Sequence, residues 1–155
     1  MADPRPASAS RTDMTEYVLP QHANALGNVF GGQIMAWVDL CGAICAQRHS
    51  GAIAVTAFVD DLKFEKPVKV GEVVRLRAHV SATFRTSMEI TVVVEGEDAR
   101  TGRRWPCVSA LLTFVAIDDA GHPTPVAPLA MDDDAARASQ AAGEQRRAAR
   151  LRGRG

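Results

Sequence analysis

Hydrophobic and polar positions change rhythm along this chain. Between Phe30 and Gln47, in FGGQIMAWVDLCGAICAQ, apolar residues recur at helical spacing, with Gly31 and Gly32 at the start and His49-Ser50-Gly51 closing the run. The pattern predicts a helix over residues 30–48. At 3.6 residues per turn, Ile34, Trp37, Val38, Cys41, Ile44 and Cys45 form one stripe suited to a sheet's concave face. From residue 53 the period drops to two. Strands are expected over 53–59 and 62–64, then a turn at Pro67 and Gly71, then VVRLRAHVSATF, with Val74, Leu76, Ala78, Val80, Ala82 and Phe84 on one face. Arg75, Arg77, His79, Ser81 and Thr83 take the other face. Met88, Ile90, Val92 and Val94 repeat the alternation against Glu89, Thr91 and Glu95, and after a DARTG turn residues 103–117 supply the last long strand. A short strand over 14–19 precedes the helix, separated from it by a loop over 21–29 that holds Asn24, Gly27 and Asn28. One long helix followed by antiparallel strands, with no βαβ alternation, predicts an α+β domain in which a single central helix packs on a curved antiparallel sheet.

The tails read differently. Residues 1–12 are rich in Pro, Ala and Ser without periodicity and are expected to be disordered. Residues 129–155 open with Asp132 to Asp134 and continue as an Ala/Arg-rich segment with little apolar surface to dock, so a flexible tail that forms at most a transient helix is expected. Residues 13–128 remain as one domain, in keeping with 155 residues of 46% hydrophobic content.

Composition excludes more than it suggests. Eighteen basic and eighteen acidic residues leave no footprint for nucleic acid or an anionic membrane. No apolar run has the length of a membrane span, and the N-terminal ADPRPASASRTD has no signal-peptide core, so a cytoplasmic protein is expected. The three cysteines, in apolar segments, read as reduced core residues; neither they nor the four histidines show metal-ligand spacing, and no metal is expected. GNVFGG lacks the Lys and Ser or Thr of a phosphate-binding loop.

One charged residue stands out. Asp39 is the sole ionisable side chain between Gly31 and Gln47, on a face made of Gly32, Met35, Ala36, Gly42, Ala43 and Ala46. A solvated face would carry Lys, Glu or Arg. A carboxylate among small apolar residues loses hydration, the setting of a general base or nucleophile, with a buried structural hydrogen bond as the alternative. Gly31 and Gly32 place free N–H groups at the helix start, where they could hold an oxyanion or simply permit a tight turn. Asn24, read from its own loop, is turn chemistry.

PQHANALGNVFGGQIMAWVD, from Pro20 to Asp39, resembles the signature of the hotdog-fold acyl-CoA thioesterases of the YciA and brain acyl-CoA hydrolase type. VTAFVDDLKFEKPVKVGE, from Val55, and SALLTFVAID, from Ser109, are similar to the same family, so the likeness runs over about residues 13–122. The resemblance implies a hotdog fold, a long central helix wrapped by a curved antiparallel sheet. It implies metal-free hydrolysis of fatty acyl-CoA, with coenzyme A present only as part of substrate and product. By that likeness Asp39 activates water or attacks the thioester. Asn24 is then a second catalytic residue acting across a dimer interface, and the backbone of Phe30, Gly31 and Gly32 holds the thioester oxygen. Thr56 lines the acyl site, while Arg85, Thr86 and Ser87 occupy the turn that approaches the CoA nucleotide. Lys63, Lys66 and Lys69 read either as further CoA contacts or as a solvated stretch. Pocket length depends on Met35, Trp37, Phe58 and Phe64. A homo-oligomer is implied, a dimer at least and a trimer of dimers in the fuller form. Ala23 departs from the threonine common there. Two other readings compete: a non-catalytic acyl-CoA binding or sensing module, and a hotdog dehydratase, for which His22 is the nearest histidine.

Overall fold

The apolar run forms α1 (Gly31–Ser50), which lies against one face of a five-stranded antiparallel sheet in a computed structural model that describes residues 2–153. The strands are β1 (Thr12–Tyr17), β2 (Ile53–Phe64), β3 (Val73–Thr83), β4 (Ser87–Asp98) and β5 (Arg103–Ile117), in the order β1-β3-β4-β5-β2. The expected α+β architecture is therefore present. Helix α1 stops where Gly51 takes φ +69° and donates its N–H to the Gln47 carbonyl at 2.8 Å, the left-handed close that glycine permits. Ile34, Trp37, Val38, Cys41 and Cys45 are buried as expected; Ile44 is not, being 38% exposed, and Gly42, Ala46 and His49 replace it in the packed face. Gly42 explains the shift: a Cβ there would meet the Phe114 ring at 2.9 Å, so the helix sits closest to the sheet at that point.

Strict alternation fails where strands bulge. A register shift between Val80 and Ala82 turns Ala82 onto the convex face, away from Val80, and another between Thr56 and Phe58 does the same within β2. The two short strands expected over 53–59 and 62–64 are one strand, continuous through a second shift between Asp60 and Lys63.

The tails are ordered where disorder and flexibility were expected. Helix α2 (Asp134–Arg152), capped by the Asp133 carboxylate on the Ala136 N–H, crosses the convex face of the sheet. It docks through polar groups rather than an apolar stripe. Gln140 pairs with both backbone groups of Thr83 at 2.9 Å, Ser139 donates to the Ser81 carbonyl, Gly143 lies on Ala82, and Arg146 grips the buried Glu89 with two hydrogen bonds. At the other end Arg5 pairs with Pro128 and Ala130 through its backbone and donates its guanidinium to the Arg48 and His49 carbonyls, capping α1. Of the expected tails, residues 1, 154 and 155 lie outside the described range.

A close approach at Gly96 fixes the far end of the sheet. A Cβ there would lie 2.4 Å from the Trp105 indole, whose Nε1–H donates to the Pro67 carbonyl at 3.1 Å. Gly96→Ala therefore displaces the ring, and we expect a loss of about 1–3 kcal/mol in denaturant unfolding with a shifted tryptophan emission. Unchanged stability would mean that the strand backbone yields instead.

Candidate active site

Asp39 lies mid-way along α1, half-buried, on the side that meets β2. In β2, Thr56 stands opposite Phe114, a buried concave-face residue, so its hydroxyl points toward the helix and donates to Asp39 Oδ1. That bond orients the carboxylate and leaves Oδ2 without a hydrogen bond among the described residues. The sequence placed Thr56 only as a lining residue. No spacing rule could reveal its partner, because the pair joins a helix and a bulged strand 17 positions apart.

At the start of α1, the Gly31 and Gly32 N–H groups have no acceptor among the described residues. The Phe30 N–H differs: it donates to the His22 carbonyl at 3.0 Å and is not available to an oxyanion. The Phe64 and Phe30 rings border this opening: a Cβ on Gly31 would sit in ordinary contact with the Phe64 ring at 3.6 Å and one on Gly32 with the Phe30 ring at 3.4 Å. Beside it runs a cleft of about 180 Å³ lined by Val29, Gly31, Ile34, Phe64, Val68 and Cys107. Larger depressions, of about 490 and 620 Å³, lie elsewhere, one around Tyr17 and Arg100, the other around Gln47 and Asp118. None of the three is lined by Asp39 or Thr56.

Asn24 is exposed. Its Oδ1 accepts from the Leu26 and Asn28 N–H groups at 3.0 and 3.2 Å, so the turn chemistry read from its loop is present. Its amide nitrogen makes no hydrogen bond among the described residues, and within one chain Asn24 bonds neither Asp39 nor Thr56. Arg85, Thr86 and Ser87 form the β3–β4 turn, closed by the Phe84 N–H on the Ser87 carbonyl at 2.9 Å. The Thr86 carbonyl accepts from Ala116 and the Arg85 carbonyl from Val126, while the Arg85 side chain is exposed. One strand, β5, lies between this turn and β2, Ser87 pairing with Val115 and Val115 with Val55, and no hydrogen bond joins the turn to Asp39 or Thr56 among the described residues. Phe58 is a correction. The bulge sends it to the convex face under Arg150, away from the helix and from any acyl pocket there.

Residues 26–102 match the Thioesterase superfamily profile, and a crystal structure of an apo hexameric acyl-CoA thioesterase superposes with a TM-score of 0.91 at 33% identity, covering 97% of each chain. The chain belongs to the thioesterase superfamily. Its sheet and helix are the superfamily's hotdog fold. A second superfamily member, acyl-coenzyme A thioesterase 11 of Mus musculus, is 38% identical over 107 residues; they make up 69% of this chain but 18% of the mouse protein, so the chain spans less than a fifth of that relative. A third, an acyl-CoA hydrolase of Staphylococcus aureus solved with butyryl coenzyme A, coenzyme A and its disulfide, has a TM-score of 0.85 at 33% identity over 97% of this chain and 94% of its own. That hydrolase has also been solved with an asparagine, an aspartate and a threonine each replaced by alanine. The three residues are separated along its chain as Asn24, Asp39 and Thr56 are in this superfamily member.

Proposed function

We propose that the protein is an acyl-CoA thioester hydrolase in which Asp39 acts as general base or nucleophile. The observation that carries this is the arrangement of Asp39, held by Thr56, on the helix whose first two N–H groups are free. In the water-mediated form, Asp39 takes a proton as water attacks the thioester carbon, the carbonyl oxygen gathers charge at the Gly31 and Gly32 N–H groups and the helix dipole, and the CoA thiolate leaves. A binding module gains nothing from an acid placed beside a neutral thioester.

Asn24 completes the site from a second copy of the chain. Its free amide nitrogen points away from its own loop bonds, and β2 is an edge strand whose Ile53, Val55, Val59, Leu62 and Phe64 are exposed in the single chain, a surface suited to pairing two sheets. Arg85, Thr86 and Ser87 reach the CoA phosphates of a neighbouring subunit's substrate in a larger assembly, an arrangement supported by the hexameric relative.

The test is CoA release from saturated acyl-CoAs of short to long chain, with two variants mixed. Asn24→Ala and Asp39→Ala are each expected to be nearly inactive, and subunit exchange between them is expected to regenerate activity that neither has alone. Tight acyl-CoA binding without turnover by the wild type would instead establish the binding-module reading. Activity in both single variants would remove these residues from the chemistry.

A further inference from the structure

Period two would place Phe58 on the same face of β2 as Thr56. The extra residue at Ala57 reverses this: Thr56 pairs with Phe114 on the concave face and Phe58 with Thr113 on the convex one. The strand is thereby held from both sides across one bulge. On the concave side Thr56 donates to Asp39. On the convex side the guanidinium of Arg150, from the last turns of α2, lies 4.9 Å from the centre of the Phe58 ring and donates from Nη1 to Asp60 Oδ2 at 3.1 Å. The Arg150 side chain is only 16% exposed although it ends a helix made mostly of Ala, Gln and Arg, so its placement is built rather than incidental. The segment it grips needs holding. A second register shift follows at once between Asp60 and Lys63, Asp61 takes φ +49° without being glycine, and among the described residues β5 is the single strand that pairs with β2.

We propose that Arg150 is a positioning residue for the Asp39 site. By pinning Phe58 and Asp60 to the convex face it fixes the Ala57 bulge, and the bulge aims the Thr56 hydroxyl at Asp39. The C-terminal helix is then part of the active-site support although it touches no substrate. Arg146, four residues earlier, anchors the same helix to Glu89, which sets the height at which Arg150 meets the strand. This inference rests on the assignment of Asp39 as the acid of the hydrolase.

The experiment compares Arg150→Ala, Arg150→Lys, Asp60→Ala, Thr56→Ala and the Arg150→Ala/Thr56→Ala pair in the full chain, reading kcat and KM for an acyl-CoA substrate and amide hydrogen exchange over residues 56–61. Displacing a positioned group costs about ten- to a hundredfold in rate, and Arg150→Ala is expected to lower kcat by that factor with KM near wild type. Arg150→Lys, which keeps a cation over Phe58 and near Asp60, is expected to recover part of the loss. Because Arg150 acts through Thr56, the double variant is expected to match Thr56→Ala rather than multiply the two losses. Exchange over residues 56–61 is expected to quicken in Arg150→Ala and in Asp60→Ala, the second variant serving if the first does not fold. Multiplicative losses, or wild-type kcat in Arg150→Ala, would overturn the proposal. If the wild-type chain hydrolyses no acyl-CoA, it is the assignment of function that fails. Exchange then decides the positioning alone, with unchanged protection in both variants overturning it.

Discussion

Replacing Asp39 by asparagine is expected to abolish most acyl-CoA turnover while leaving the fold intact. The asparagine carbonyl can still accept the Thr56 hydroxyl, so the geometry of the bond survives and only the charge and basicity are removed. Positioned acid–base groups contribute about a hundred- to ten-thousandfold, and kcat is expected to fall by that factor with KM little changed, the pattern of an interaction made in the transition state. Helix α1 should not notice, since its packed face is Ile34, Trp37, Val38, Cys41 and Cys45 and not Asp39. Thermal melts of the two proteins should superpose. Turnover within a few-fold of wild type would leave Asp39 as a structural acceptor for Thr56 and nothing more.

The second large effect is on stability. Glu89 is buried on the convex face, its side chain 4% exposed, and Arg146 closes over it with hydrogen bonds of 2.6 and 2.8 Å while Ser81 donates a third at 2.6 Å. Burial pushes the Glu89 carboxyl up. The hydrogen bonds from Arg146 and Ser81, with the charges of Arg146 and Arg150, outweigh it and leave the group below the usual glutamate range. Arg146→Ala strands that carboxylate. Breaking a fully buried pair costs about 3–5 kcal/mol, and because Arg146 is itself 36% exposed we expect about 2–3 kcal/mol in denaturant unfolding. The pH dependence follows from the direction of the shift. A carboxyl depressed in the folded state stabilises the fold above its unfolded value, near 4.5, and that contribution is lost as pH falls through the lower folded value. The gap between wild type and Arg146→Ala should therefore be full at neutral pH and close in acid, in the range below about 4.5. A gap that stays constant into acid would mean that Arg146 stabilises by packing rather than by charge.

Helix α1 and the long strands were legible because their apolar residues keep one period, and Asp39 was legible because it breaks the apolar run it sits in. The bulges were not. Thr56, Phe58 and Ala82 each lie next to a single inserted residue, and an alternation rule carries every later side chain to the wrong face after such an insertion. The docking of helix α2 on the sheet was missed for another reason. Its docking groups, Ser139, Gln140, Gly143, Arg146 and Arg150, do recur at helical spacing, but they are polar or small, and a search for an apolar stripe passes over them. Asn24 was read correctly as a turn residue, and the wider role proposed for it depends on a second copy that no single-chain pattern contains.

The bulge at Ala57 also constrains how this strand can vary over evolutionary time. Substitutions in β2 alter one side chain each and leave the others where they were. Deleting a single codon at residue 57 would leave Thr56, Phe58 and Val59 in strict alternation opposite Phe114, Thr113 and Leu112, so Thr56 and Val59 would both stay on the helix side and only the bulge would be lost. Homologous chains can thus lose this one residue without turning a side chain, whereas losing a second between Thr56 and Val59 would send Val59 to the convex face.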